Sequence, residues 1–310
     1  MNGSPLVVRP CPLCGSSDES QVVARARFDA DLLDEFAFSS RKLPEYMHHR
    51  LVECPVCDVV YASPVPATPQ ALAKAYEDAA FDSEAESRYA SLTYARLLAH
   101  IEATLPNRAG AIDIGTGDGA FLERLLAHGF SDVVGVEPSR APIQAAKAHI
   151  RPLIRSGPFE FRQADDGRFS LVTCFQTLEH LYDPLAFCRY AYAALKQNGA
   201  ILLVCHDRRA VSAKLLGTKS PIFDIEHLQL FSRRSLKHLL ERAGFSNIRI
   251  LPVWNTYPLH YWLKLFPLPK ALKRSSLLIS KKLRIGYLPI SIPAGNIAAI
   301  AYKRAGGEAP

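Results

Sequence analysis

A doubly wound α/β architecture, with a seven-stranded sheet and a small four-cysteine module ahead of it, is the fold class this sequence predicts. Three observations predict it. Apolar runs such as AIDIG, DVVGVE and AILLVC alternate with segments of helical periodicity from Gly110 onward, the pattern of a sheet covered by helices on both faces. A glycine-rich turn, GTGDG, directly follows the first run, at the carboxyl end of a strand, where open α/β sheets bind ligands. Upstream lie two C-x-x-C pairs, Cys11/Cys14 and Cys54/Cys57, separated by 39 residues.

The elements follow in order. Residues 1–65 read as the short strands and turns of the cysteine module, with YASPVPATP as a proline-rich linker. Residues 66–105 read as a helical lead-in, apolar at three- to four-residue spacing. Residues 106–310 read as the main domain. AIDIG is its first strand, and GAFLERLLAHG is a helix ending at Gly129. DVVGVEP and APIQAAKAHI are the second strand and helix. LIRSGPFEF is a weaker third strand and FSLVTCFQ the fourth. DPLAFCRYAYAALKQNG is a helix capped by Gly199, before the fifth strand AILLVCH. SRRSLKHLLERAG is a helix with Ser232 as N-cap. FSNIRILPVW and NIAAIAYKR supply the sixth and seventh strands, separated by an insert at 255–295. The alternation implies a parallel sheet.

Apolar residues make up 48% of the chain, enough for a core, so disorder is expected only in tails such as AGGEAP. Cys174, Cys188 and Cys205 read as buried small hydrophobes. No apolar run reaches the roughly 18–20 residues a bilayer span needs, and no signal-peptide pattern follows the start. The expected compartment is the cytoplasm. Net charge is +7, and no Asp or Glu occurs from Arg242 to Gly307. Such a block suits a phosphate-bearing substrate or an acidic membrane surface. Nucleic acid is disfavoured, because no recognisable reading module accompanies it.

The glycine turn reads G-x-G-x-G over Gly115, Gly117 and Gly119, with Asp113 two positions upstream and Glu137 eighteen residues after Gly119. A dinucleotide fingerprint would read G-x-G-x-x-G. Acidic groups repel a pyrophosphate and suit a cationic amine and sulfonium. IDIGTGDG and the acid of GVEPS resemble the corresponding motifs of class I methyltransferases, a likeness covering Leu105 to about Arg304. That resemblance implies a Rossmann-like sheet with S-adenosylmethionine as methyl donor. It implies Asp113, Gly115, Thr116, Gly117 and Gly119 along the methionine moiety and Glu137 on the ribose. Pro138 and Ser139 would lie near the adenine, and Gln176 would border the donor. The residue holding the adenine amine stays open between 157–159 and Asp165–Asp166.

Four thiolates in two tight pairs can close a tetrahedral zinc site, structural in role because no position remains open. Redox pairs or an iron–sulfur cluster are the alternatives, and His48 and His49 are competing ligands. FDADLLDEFAF and PEYMHHR would form an excursion between the pairs. A zinc module ahead of such a core resembles the sugar C-methyltransferase group. VVYASPVPATPQALAKAYEDA and the Glu226-His227 pair carry the likeness further. It implies a sugar, nucleotide-sugar or glycan-type acceptor and lifts Glu226 and His227 to the leading catalytic candidates. His180, beside Glu179, is next, followed by His206 and Asp207. Each histidine can accept a proton near neutral pH. Tyr76 and Tyr89 could line the pocket. The insert's Lys270, Lys273, Arg274, Lys281, Lys282 and Arg284, interleaved with large apolar residues, suggest a membrane-lying flap or a lid for a sugar diphosphate. The alternative functions are O- or N-methylation of another metabolite or lipid, and a non-catalytic binding protein of this fold.

Overall fold

The computed structural model describes residues 5–17, 21–29, 34–42, 45–160, 162–266 and 268–304. The AGGEAP tail and parts of FDADLLDEFAF and PEYMHHR lie outside the described residues. The N-terminal strands are β1 (Leu6–Val7), β2 (Gln21–Ala24), β3 (Leu51–Glu53), β4 (Val60–Ala62) and β5 (Val65–Pro66). The proline-rich stretch is not a free linker. It carries β4 and β5, Leu6 pairs with Pro66, and Val65 is fully buried, so backbone pairing and apolar burial fix it.

The lead-in is two helices, α1 (Pro69–Glu77) and α2 (Glu84–Leu98), followed by a short 3-10 turn. The main domain then runs β6 (Ala111–Ile114), α3 (Ala120–Ala127), β7 (Val133–Glu137), α4 (Arg140–Ala145), β8 (Ile154–Ser156), β9 (Phe169–Phe175), α5 (Pro184–Ala194), β10 (Leu195–His206), α6 (Val211–Leu216), β11 (Gln229–Leu230) and α7 (Arg233–Arg242). It ends with β12 (Ser246–Pro258), α8 (Leu259–Leu265), α9 (Lys270–Lys282) and β13 (Pro289–Tyr302). Local signals explain several boundaries. Gly129, at φ +83, terminates α3. Ser232 and Ser235 form a reciprocal capping box at α7, worth about 1 kcal/mol. The α5–β10 turn differs from expectation: Asn198, not Gly199, takes the positive φ of 63°. Gly199 is needed for close approach, since a Cβ there would lie 2.9 Å from the Lys196 carbonyl oxygen.

The seven strands are ordered β12-β13-β10-β9-β6-β7-β8. The sheet is mixed, not wholly parallel: β13 runs antiparallel to both β10 and β12. A direct hairpin-like return explains this, because parallel neighbours need a crossover back to the same end. The ends of the insert are strand, with Asn255 paired to Ile292 and Pro258 to Pro289. The insert is therefore a ribbon tipped by α8 and α9. Alternate residues of β6, β9 and β10 feed two cores. Ile112, Val172 and Ile201 face α5 and α7, whereas Ala111, Leu171 and Leu202 face α2 and α3. The three single cysteines are buried and free.

The cysteine module shares the first core through Cys11, Leu13 and Tyr61. Its sheet continues into the main domain, because β11 pairs with β4. Arg9 fastens the two regions: its guanidinium donates to the carbonyls of Ala62 (3.0 Å), Tyr182 (3.1 Å) and Leu228 (2.9 Å). Such a buried cation satisfied by carbonyls specifies one docking geometry. Sheet order reverses between β6 and β9, so the loops after these strands open a crevice at the switch point.

Candidate active site

The crevice is a cavity of about 1640 Å³, walled by the loops after β6, β7, β9 and β10, by α1, and by module segments near Cys11 and Arg41. Gly115, Thr116, Gly117, Glu137, Pro138 and Gln176 stand on one wall. Gly115 has φ +74, and a Cβ there would lie 2.1 Å from Thr177 Oγ1; only glycine suits that turn. Gly119 and Asp113 are set behind the wall. Gly119, the left-handed N-cap of α3, presses on Ile150, where a Cβ would come within 2.4 Å. Asp113 accepts the Thr173 hydroxyl at 2.6 Å, and burial pushes its carboxyl up to about 7. It braces the strand end from below and does not contribute a wall-lining charge.

Glu137 is the acid on the wall. Its two oxygens accept from the backbone N–H of Gly117 (2.7 Å) and Ser139 (2.9 Å). Burial raises its pKa, and these two N–H groups oppose the rise. The Ser139 side chain also bonds this carboxylate, and of its roughly four acceptor sites about one stays open for a ribose hydroxyl. On the same wall, Gln176 sits at φ +53 with a buried Nε2 that has no partner among the described residues. An unmet donor and an acid with a spare acceptor site fit a polar nucleoside donor. Of the two adenine alternatives, Pro158 and Phe159 border the cavity. Asp165 does not; it is paired with Arg155 and Arg168 and accepts from Tyr190, while Asp166 is exposed.

Three histidines gather in the same cavity. The His227 ring centroid lies 4.9 Å from that of His180 and 5.2 Å from that of His206. His227 Nδ1–H donates to the Ile222 carbonyl at 2.8 Å; because a carbonyl only accepts, Nε2 carries the lone pair. His206 Nδ1 is 2.8 Å from Asn296 Oδ1, and His180 Nδ1 is 2.9 Å from the Tyr76 hydroxyl. Gln229 fixes the loop bearing His180 by donating to the carbonyls of Leu178, Glu179 and Leu181. Glu179 is turned away from the cavity and accepts from the His206 backbone N–H at 2.6 Å. Asp207 accepts from the Arg209 backbone N–H at 2.9 Å. Tyr89 donates to the Tyr287 carbonyl at 2.9 Å, outside the cavity wall.

Glu226 lies 3.5 Å from His180 and 3.1 Å from Lys42, whose ammonium also meets Asp224 at 2.9 Å. Burial pushes the Glu226 carboxyl well up, against the pull of Lys42. Lys42 and Asp224 escaped sequence reading. Lys42 comes from the module and touches the site only through tertiary packing, and no local motif marks it.

Burial pushes His227 down to about 4, His206 to about 3 and His49 to about 4. All three are therefore neutral near pH 7. An unfolded chain binds more protons than the native one between these values and about 6.5. The share of stability these histidines carry should be fully present above about pH 6.5 and fall as pH drops towards about 4, whereas the raised Asp113 and Glu226 carboxyls act in the opposite sense over the same interval. Comparing the melting temperatures of wild type and His206→Asn across that interval isolates the histidine share: the variant should lose less stability on acidification, and an identical pH dependence would contradict the buried, neutral assignment.

The four Sγ atoms of Cys11, Cys14, Cys54 and Cys57 lie within 4.8 Å of one another, with Cys11–Cys57 at 3.4 Å and Cys14–Cys54 at 3.5 Å. Two matching turns present them, in which Cys11 and Cys54 accept from the N–H of Gly15 and Asp58. A tetrahedral zinc with bonds of about 2.3 Å needs sulfurs about 3.8 Å apart, so the set is compatible with structural zinc. His48 and His49 are not part of the cluster. Metal removal by a strong chelator should markedly lower the melting temperature, because structural zinc supplies on the order of 10 kcal/mol in small modules. An unchanged melt after verified metal loss would contradict a structural metal.

The chain belongs to the methyltransferase-domain family, which it matches over residues 82–250, and is an S-adenosylmethionine-dependent enzyme of that kind. It is similar to the ubiquinone biosynthesis O-methyltransferase of Acinetobacter baylyi, 24% identical over 167 residues, covering 49% of this chain and 70% of that protein. To the enzyme of the same name from Pseudomonas aeruginosa it is 33% identical over 101 residues, covering 30% of this chain and 42% of that one. A solved S-adenosylmethionine-dependent methyltransferase of Thermotoga maritima aligns with a TM-score of 0.46 at 20% identity, covering 71% of this chain and 92% of that one.

Proposed function

We propose that the enzyme methylates a sugar-type small-molecule acceptor, such as a nucleotide sugar or glycan, with His227 as the proton acceptor. When bound, S-adenosylmethionine supplies an electrophilic methyl group on a sulfonium. His227 Nε2 would take the proton of the acceptor atom that receives the methyl group. The carrying observation is the neutral His227 with Nδ1 committed to a carbonyl and Nε2 left as base. Tyr76, His180 and Glu226 offer further polar contacts, which suit a hydroxylated acceptor. Glu226 acts as a positioning group, held by Lys42. Gly115, Thr116, Gly117, Glu137, Pro138 and Gln176 bind the donor, with Asp113 and Gly119 shaping the loop from behind. In this reading residues 1–65 form a zinc-braced wall, residues 66–105 a helical side, and residues 106–310 the donor domain.

A second reading is favoured by one observation: the cavity also has an apolar lobe lined by Tyr261, Trp262, Leu265, Phe266 and Ile292. Together with the relatives' names, it suits O-methylation of an acceptor with an apolar tail. The same ribbon exposes Leu272, Leu278, Ile279 and Leu283 among lysines and arginines with no intervening acid. Peripheral contact with an anionic membrane through 255–295 belongs to this reading. No helix among the described residues is long and apolar enough to cross a membrane.

Incubation with methyl-labelled donor tests both readings, using nucleotide sugars, glycolipids and prenylated phenols, with and without anionic vesicles. Label on a sugar supports the first. Label only on a prenylated phenol, with vesicle stimulation, replaces it by the second.

A further inference from the structure

Arg41 is a cation the reaction scheme leaves unused. It comes from the cysteine module, borders the same cavity as Gly115, Gln176 and His227, and has its Nε buried without a partner. Its surroundings are the phenols of Tyr257, Tyr94 and Tyr261. Burial pushes the Tyr94 and Tyr261 phenols up from their ordinary range, so these remain neutral and cannot balance the guanidinium. Among the described residues no carboxylate forms an ion pair with Arg41. Glu86, on the outer side of this corner, meets His260 at 3.3 Å instead. The Arg41 backbone is itself held at φ +60, a left-handed conformation that a long L side chain adopts only at a cost.

A buried cation without a counter-charge is expensive, and the planar donor fork of a guanidinium matches a carboxylate or phosphate. We propose that Arg41, with Tyr94 and Tyr257, forms an anion-binding corner of the cavity that takes a carboxylate or phosphate of a bound ligand. Its position is shared between the two halves of the site. Tyr94 stacks on Phe175 with centroids 4.0 Å apart, one residue before Gln176 on the donor wall, while Tyr257 leads into the apolar lobe. The anion therefore comes either from the amino-acid end of the donor or from an acidic group on the acceptor. In both cases a residue of the module, far in sequence from the donor loop, reads the ligand's charge. The donor arm rests on the proposed donor site; the acceptor arm does not.

Calorimetric titration of wild type, Arg41→Gln and Arg41→Lys separates the sources. The probes are S-adenosylmethionine, 5′-methylthioadenosine (which lacks the amino-acid end), and pyrophosphate added to protein saturated with S-adenosylhomocysteine. If the donor's carboxylate is held, Arg41→Gln weakens S-adenosylmethionine at least tenfold and leaves methylthioadenosine unchanged. If the acceptor's anion is held, donor affinity is unchanged and pyrophosphate binding disappears. Arg41→Lys falls between wild type and Arg41→Gln in whichever arm responds, and matching melting curves show that the variants fold. The proposal is overturned if Arg41→Gln leaves both S-adenosylmethionine and pyrophosphate within twofold of wild type. Equal weakening of S-adenosylmethionine and methylthioadenosine also overturns it, since that marks a structural role.

Discussion

Replacing His227 with alanine should lower turnover by about 10²–10⁴-fold, the usual contribution of a positioned general base, and leave donor affinity unchanged. The separation follows from geometry. Glu137 and the glycine loop hold one wall of the cavity, and the histidine cluster stands on the loop after β9, the last residue of β10 and the loop before β11. Calorimetry with S-adenosylmethionine and single-turnover transfer from labelled donor measure the two quantities independently. The pH profile carries a further signature. Burial holds His227 at about 4, so the acid limb of kcat/KM should lie well below the usual histidine range near 6.5. Unchanged turnover in the alanine variant would remove His227 as the base and leave His180 as the next candidate.

Glu137→Ala should weaken S-adenosylmethionine at least 100-fold. The carboxylate holds two backbone N–H groups, of Gly117 and Ser139, on either side of the donor wall. Each buried donor left unmet costs roughly 1–3 kcal/mol, so the loop loses its set position as well as the ligand contact. Glu137→Gln keeps one acceptor and turns an amide N–H₂ towards the other donor, so it should bind with intermediate affinity. Titration calorimetry checks both variants. Affinities equal to wild type would mean that the donor does not lie against this wall.

The features legible in the sequence were those written locally. The two C-x-x-C pairs, the glycine turn after an apolar strand, the Ser232 cap and the Gly129 stop each depend on a few adjacent residues, and each has a direct structural counterpart. The direction of β13 was not legible, because an apolar run has the same alternation in either orientation. Nor was the extension of β12 and β13 into the insert, where Tyr, Trp and Pro mask a ribbon fixed by cross-strand pairing. The third strand shrank to Ile154–Ser156 because Gly157 and Pro158 break the pairing. At the site, histidines flagged by neighbouring acids converge, but their working partners are mostly not those neighbours. His180 meets Tyr76 and Glu226, and Glu226 meets Lys42. Arg41 and Lys42 reach the cavity because the β4–β11 pairing joins the module to the main domain, a long-range contact with no local trace.

The most direct test is a pair of titrations on the unmodified, metal-replete protein, one with S-adenosylmethionine and one with NAD. The G-x-G-x-G turn after β6, which departs from the dinucleotide spacing, predicts saturable binding of the sulfonium donor and none of the dinucleotide. Saturable NAD binding that S-adenosylmethionine fails to displace would contradict the account.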